Sequence, residues 1–168
     1  MNTLAKSSRL AAQELRIEAW NIGGNIPFPV DPFAIAERLG IKVHFEKLGA
    51  DTAGFIIRRP GEPVVRAYLN SSDASVRQRF TMAHELGHFA QHRDEAEMGY
   101  VDERAALASA GIDRSEIWAN EFAAELLMPA ATVSKWWAEG KSPEEMAKRF
   151  GVSSAALGFR LQNLGLRG

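Results

Sequence analysis

The segment His84-Glu85-Leu86-Gly87-His88 sets two imidazoles four residues apart with a carboxylate between them. On an α-helix, residues four apart point the same way, offset by only about 40°. Two imidazoles so placed can grip one divalent ion. Glu85, at the edge of the same face, can reach a water held there. This is the H-E-x-x-H arrangement of zinc hydrolases, in which the ion makes water acidic and polarises a carbonyl while the glutamate carries the proton. Five residues are a short signal, and an ordinary polar helix face with unrelated histidines is the bland alternative. The clustering tilts the balance: with His92, three of the four histidines in the chain fall in this one segment.

Zinc takes a third protein ligand and keeps a fourth position open for hydrolysis. The chain has no cysteine, so a carboxylate or His92 must serve. His92 extends the row, but on a straight helix it lies about 80° round and about 12 Å along from His84. It is therefore better suited to facing substrate or to a structural role. Downstream, the run from Glu116 to Met128 offers Glu116, Glu121 and Glu125. A helical wheel puts Ala119, Phe122, Ala123, Leu126 and Leu127 on the inward side, with Glu116 and Asn120 within or beside it. Glu121 and Glu125 fall opposite. An inward carboxylate is costly unless a charge or metal matches it. Glu116 is thus the residue that a metal would explain, although an acid in a first helical turn is also favoured by the helix dipole. Asn120, one turn on, can accept a hydrogen bond from a ligand imidazole and orient it. His92, Tyr100, Tyr68 and Arg77 are candidates for steadying a developing oxyanion.

Several elements must bring these groups together. Leu4 to Ile22 has the spacing of an amphipathic helix, stopped by Gly23-Gly24. Asp31-Pro32 is a helix start and Gly40 a helix stop. Three short runs, Ile41 to Lys47, Ala53 to Arg59 and Val64 to Leu69, have strand character, and Pro60-Gly61-Glu62-Pro63 turns the last two against each other. They predict a small, mainly antiparallel sheet, and either of the last two could pair with an extended substrate. Asn70-Ser71-Ser72-Asp73 caps a long helix through His92. On it Val76, Ala83, Leu86, Phe89 and Ala90 form the anchoring side, and the histidines face a cleft with Arg77, Thr81 and Gln91. An acidic stretch follows, helical in part from Glu103 to Ala110, before a helix from Arg114 to Met128 that Pro129 ends.

Composition narrows the class. With 168 residues, 20 basic against 21 acidic side chains and a net charge of −1, the chain is not a general nucleic-acid or membrane binder. No run approaches the roughly 18 apolar residues of a membrane span. The start is polar and lacks a secretory core, so the expected setting is the cytoplasm.

The residues from Arg79 to His88 with His92, and then Glu116-x-x-x-Asn120-x-Phe122-Ala123-Ala124-Glu125-Leu126-Leu127-Met128-Pro129, resemble the ImmA/IrrE family of metallopeptidases. Asp31-Pro32, the run from Ile35 to Ile41 and Ala53-Gly54-Phe55 extend the likeness over nearly the whole chain. The resemblance implies an α+β, zincin-like metalloprotease domain over residues 1–130. Its implied centre has His84, His88 and Glu116 on zinc (or manganese or iron), Glu85 as the catalytic base, and Asn120 as the polar partner. It also implies a protein substrate, often a helix-turn-helix repressor encoded nearby.

Residues 131–168 form a C-terminal helical tail with helix-turn-helix spacing: Ala147, a turn at Gly151, and apolar Met146, Phe150, Val152, Leu157 and Leu161. Its would-be recognition helix offers one basic residue, Arg160, so direct DNA binding is disfavoured against docking or structure. Two rivals stand beside the protease. One is a non-proteolytic partner of a repressor, of toxin or antitoxin type, that keeps zinc for structure. The other is a DNA binder acting through the tail.

Overall fold

The structure, a computed structural model, describes residues 6–95, 98–99 and 114–167. Among them lie seven helices and four strands: α1 (Ser8–Ala19), α2 (Pro32–Arg38), β1 (Lys42–Glu46), β2 (Gly54–Arg58), β3 (Arg66–Asn70), α3 (Ser75–His92), β4 (Met98–Gly99), α4 (Arg114–Leu127), α5 (Ala130–Ala138), α6 (Pro143–Phe150) and α7 (Ser154–Asn163). The class is α+β, as expected. Tyr100 and the helical piece expected at 103–110 lie outside the described residues.

Local chemistry explains most boundaries. Asp31 Oδ1 accepts from the Phe33 and Ala34 amides at 2.9 and 3.3 Å, which starts α2, and Pro32 fills a position whose amide would have no helical partner. Pro129 ends α4 and precedes α5. Gly151, at φ 68°, turns α6 toward α7. One cap departs from expectation. The residue before α3 is Ala74, which makes no side-chain cap bond. The expected capping side chains are used elsewhere. Asn70 donates to the Thr52 carbonyl at 3.0 Å and accepts from the Ser72 amide at 3.0 Å, while Asp73 stands 3.6 Å from Arg77. They hold the β3–α3 turn.

The sheet order is β1-β3-β2-β4. β2 pairs antiparallel with β3 and with β4, but β1 pairs parallel with β3, so the sheet is mixed. Two of these three pairings are antiparallel, in line with a mainly antiparallel sheet, and the β1–β3 seam is the exception. After β1 the chain leaves a slot open, lays down β2 beyond it, and the β2–β3 hairpin then fills the slot with a strand running alongside β1. Sequence spacing identifies strands but not the order in which they pair. The same order makes β3 an interior strand, closed on both sides, which removes it as an edge for substrate. Among the described residues, β2 pairs with β4 only at Ile57 and Arg58 and leaves the Gly54–Ile56 side open.

α3 is the central element. It packs against α4, α2, α1 and the sheet strands β2 and β3. Met82, Leu86, Phe122, Leu126 and Leu127 are fully buried where α3 meets α4, and each such side chain contributes roughly 1.5–3 kcal/mol. Gly87 sets how close the two helices come. A Cβ there would stand 3.1 Å from Ala119 Cα and 3.2 Å from the Phe122 ring. The expected division of α3 into an anchored side and an open side does not hold around the motif. Every residue from Thr81 to Phe89 is buried, because the sheet and α4 cover what a single helical wheel leaves exposed. The core runs without a break from α1 through α3 and α4 into Met146, Phe150, Leu157 and Leu161 of the tail.

Candidate metal centre

α3 carries both histidines inward, with His84 7% and His88 1% exposed. The first turn of α4 brings Glu116 against them. His88 Nε2 lies 2.8 Å from one Glu116 oxygen, His84 Nε2 lies 3.1 Å from the other, and the two ring nitrogens are 3.1 Å apart. One ligand atom from each residue falls within 4.8 Å of the others. His84 Nδ1–H donates to Asn120 Oδ1 at 2.8 Å. That bond fixes the tautomer and leaves the Nε2 lone pair facing Glu116 and His88.

The donor set fits a cation. Two imidazole lone pairs and a carboxylate are all electron-rich, yet they converge on one point in a largely buried place. Ligand atoms about 2.0–2.2 Å from one tetrahedral zinc stand about 3.3 Å from each other, close to the separations here. Two nitrogens and oxygen also suit manganese or iron. When protons rather than an ion sit between them, the imidazoles, His84 first and then His88, hydrogen-bond the Glu116 carboxyl and hold it well below the usual carboxylate range, with burial opposing them. The carboxylate charge is therefore present above the ordinary value and is lost only as pH falls through the depressed one.

The surrounding side chains sort cleanly by position. Glu85 is 3% exposed, one residue from His84 on α3. A cavity of about 320 Å³ opens onto the cluster, lined by Ala53, Arg77, Phe80, Thr81, His84, Glu116 and Asn120. Of the oxyanion candidates, Arg77 lines it. Tyr68 instead stacks between His44 and Phe55, with ring centroids 5.0 and 4.9 Å away. His92 Nδ1 stands 2.9 Å from Glu95 and is not among the converging ligand atoms. Tyr100 lies outside the described residues.

A second buried carboxylate on the same helix escaped the sequence reading. Glu125 is 2% exposed, although the wheel turns it away from the core. α4 is covered on both flanks, by α3 on one and by α1 on the other, so it has no outward face there. Arg160 and Arg16 supply the countercharge: Arg160 bonds Glu125 Oε2, and Arg16 Nη2 stands 3.8 Å from Oε1 while its Nη1 donates to the Glu125 carbonyl at 2.6 Å. Burial pulls both guanidiniums below their ordinary value, and Glu125 offsets it. Arg16 itself was the available signal, an arginine on the line of Ala12, Leu15 and Ala19 in α1. Arg160, the one basic residue expected on a recognition helix, is thus turned inward and engaged. Arg79 ties the tail from the other side, donating to the Gly151 and Val30 carbonyls at 2.9 and 2.6 Å.

A helix bearing two histidines, a glutamate from the next helix, and a small mixed sheet beside them define a zincin-like metallopeptidase domain. The family model described as the IrrE N-terminal-like domain, a peptidase family, matches residues 36–162. The chain belongs to that family. It is also 32% identical over 108 residues to "Uncharacterized immunity region protein 2" of Bacillus phage phi105. The matched stretch covers 63% of this chain and 63% of that relative. Among the described residues, no helix is long and apolar enough to cross a membrane.

Proposed function

We propose that the chain is a zinc-dependent endopeptidase, with His84, His88 and Glu116 as ligands and Glu85 as the catalytic base. The observation that carries this is the convergence of two imidazole nitrogens and a carboxylate, from two helices, on one point. A divalent ion bound there would lower the pKa of water from about 15.7 toward about 7 and polarise a peptide carbonyl. Glu85 takes the proton from the attacking water and delivers it to the departing amine. Asn120 keeps the His84 ring in one orientation through that change. Arg77, at the cavity mouth, is placed to receive charge that develops on the carbonyl oxygen. The open side of β2 from Gly54 to Ile56, next to Ala53 in the cavity wall, can pair with an extended substrate backbone.

The substrate we infer is a helix-turn-helix repressor encoded nearby, met in the cytoplasm. The family and a relative named for a phage immunity region support this choice. Residues 131–168 then serve as a helical subdomain packed on residues 1–130, held there by the Arg79 and Arg160 contacts and by the shared core. The test is Glu85→Gln. The variant should hold one zinc as the wild type does and lose about 10²–10⁴-fold in repressor cleavage. Full activity in that variant would remove Glu85 from the mechanism.

A further inference from the structure

We propose that the groove beside the metal cavity is a docking site for an amphipathic helix of the protein substrate, apolar on one face and acidic on its flank. The proposal rests on the peptidase reading above and names what part of the substrate lies outside the cavity.

The groove measures about 1050 Å³ and is walled by α1, α3, α4 and α7. It adjoins the metal cavity: Arg77, Phe80 and Asn120 line both. Asn120 therefore has one edge on the His84 ring and another on the groove. A helix lying in the groove would hold the rest of its chain beside the converging ligands.

Three features select the occupant. First, the groove exposes large apolar side chains: Ile117 is 42% and Phe159 67% exposed. Such surface in a continuous depression gains by being covered, at roughly 25 cal/mol per Å². Second, most of the wall is helical, and away from the first turns at Ser8 and Ala155 its backbone amides and carbonyls are already bonded within the helices. An extended strand laid here would lose water from its own backbone and find no partners, whereas a helix arrives with those groups satisfied. Third, the charges are lopsided. Arg9 and Arg77 are exposed on the rim, Arg77 with Asp73 3.6 Å away and Arg9 open to solvent. Against them, Arg16 and Arg160 enclose Glu125, while Glu121 keeps its charge and accepts from Ser8 Oγ at 2.9 Å, so that three arginines of the lining (Arg9, Arg77 and Arg160) face two carboxylates. The rim thus favours acidic residues beside the apolar face.

The test uses a fluorescein-labelled peptide of about 20 residues, long enough to form a helix, with leucines at helical spacing and glutamates on the other face. Controls carry lysine for glutamate, or the same residues reordered to alternate as in a strand. Fluorescence anisotropy is read on the full chain carrying Glu85→Gln, with zinc and with chelator. The acidic helical peptide should bind saturably in both states and more tightly than either control. Phe159→Glu, at an exposed position, should weaken it at least about tenfold, the loss expected of an anchoring aromatic contact. Ile117→Glu is the second variant, and circular dichroism confirms that both are folded. Three results would overturn the proposal: no saturable binding, equal binding of a control, or a Phe159→Glu protein that binds as well as its parent. Self-association abolished by Phe159→Glu, seen by sedimentation, would also overturn it and give the groove to a second copy of the chain. Binding here needs no catalysis. A protein that cleaves short peptides yet fails to bind the probe loses the groove and keeps the peptidase; one that binds but never cleaves does the reverse.

Discussion

Helix α4 carries two glutamates whose surroundings answer the same electrostatic problem in opposite ways. Glu125 is buried with Arg16 and Arg160, so the chain supplies its countercharge from α1 and α7. Glu116, on the first turn, meets the Nε2 atoms of two imidazoles, which can offer lone pairs to the same ion as the carboxylate. A buried carboxylate matched by the chain's own cations is a structural joint. A half-buried one set among further ligand atoms leaves a place for a cation from outside. The two sites are even linked along the helix, because the joint at Glu125 fixes the far end of the element that presents Glu116 and Asn120 to the histidines.

The comparison can be broken most forcefully at the joint. Glu125→Ala leaves two buried guanidiniums facing each other, and we expect it to cost about 3–5 kcal/mol in denaturant unfolding of the metal-free protein. A cost no larger than that of a surface substitution would show that the triad does not hold α1, α4 and α7 together. At the other site, Asn120→Ala should leave metal-free stability nearly unchanged yet weaken zinc affinity about 10–100-fold, by freeing the His84 ring to turn. Unaltered affinity would make the Asn120 bond incidental. The smallest effect expected is from Gly87→Ala. The added Cβ meets the α4 backbone at 3.1 Å, so the gain of about 1 kcal/mol that alanine normally brings to a helix interior should vanish or reverse, with zinc binding weakened alongside. A plain gain in melting temperature with undiminished zinc binding would show that the α3–α4 spacing has slack.

The same contrast explains what was legible in the sequence. His84, Glu85 and His88 share one helix, so spacing alone reports their juxtaposition. Glu116 could be singled out because an acid beside an apolar face asks for a partner. Asn120 followed from it by one helical turn. Glu125 was misread because the wheel assumes one inward face, and α4 has two covered flanks. Arg160 was read as an exposed basic residue for the same reason: its partner lies on another element that only folding brings near. The parallel β1–β3 seam was hidden in a different way. Strand character is local, but pairing order depends on where the hairpin lands, and no residue pattern marked that.

The most direct measurement is a calorimetric titration of zinc into chelator-stripped protein, wild type beside Glu116→Ala, with circular dichroism confirming that both are folded. One ion per wild-type chain is expected, with its thermal transition raised by saturating zinc and both effects lost or greatly weakened in the variant. Equal stoichiometry and affinity in Glu116→Ala, or a folded wild type that takes up no divalent ion, would contradict the assignment of His84, His88 and Glu116 as one metal centre.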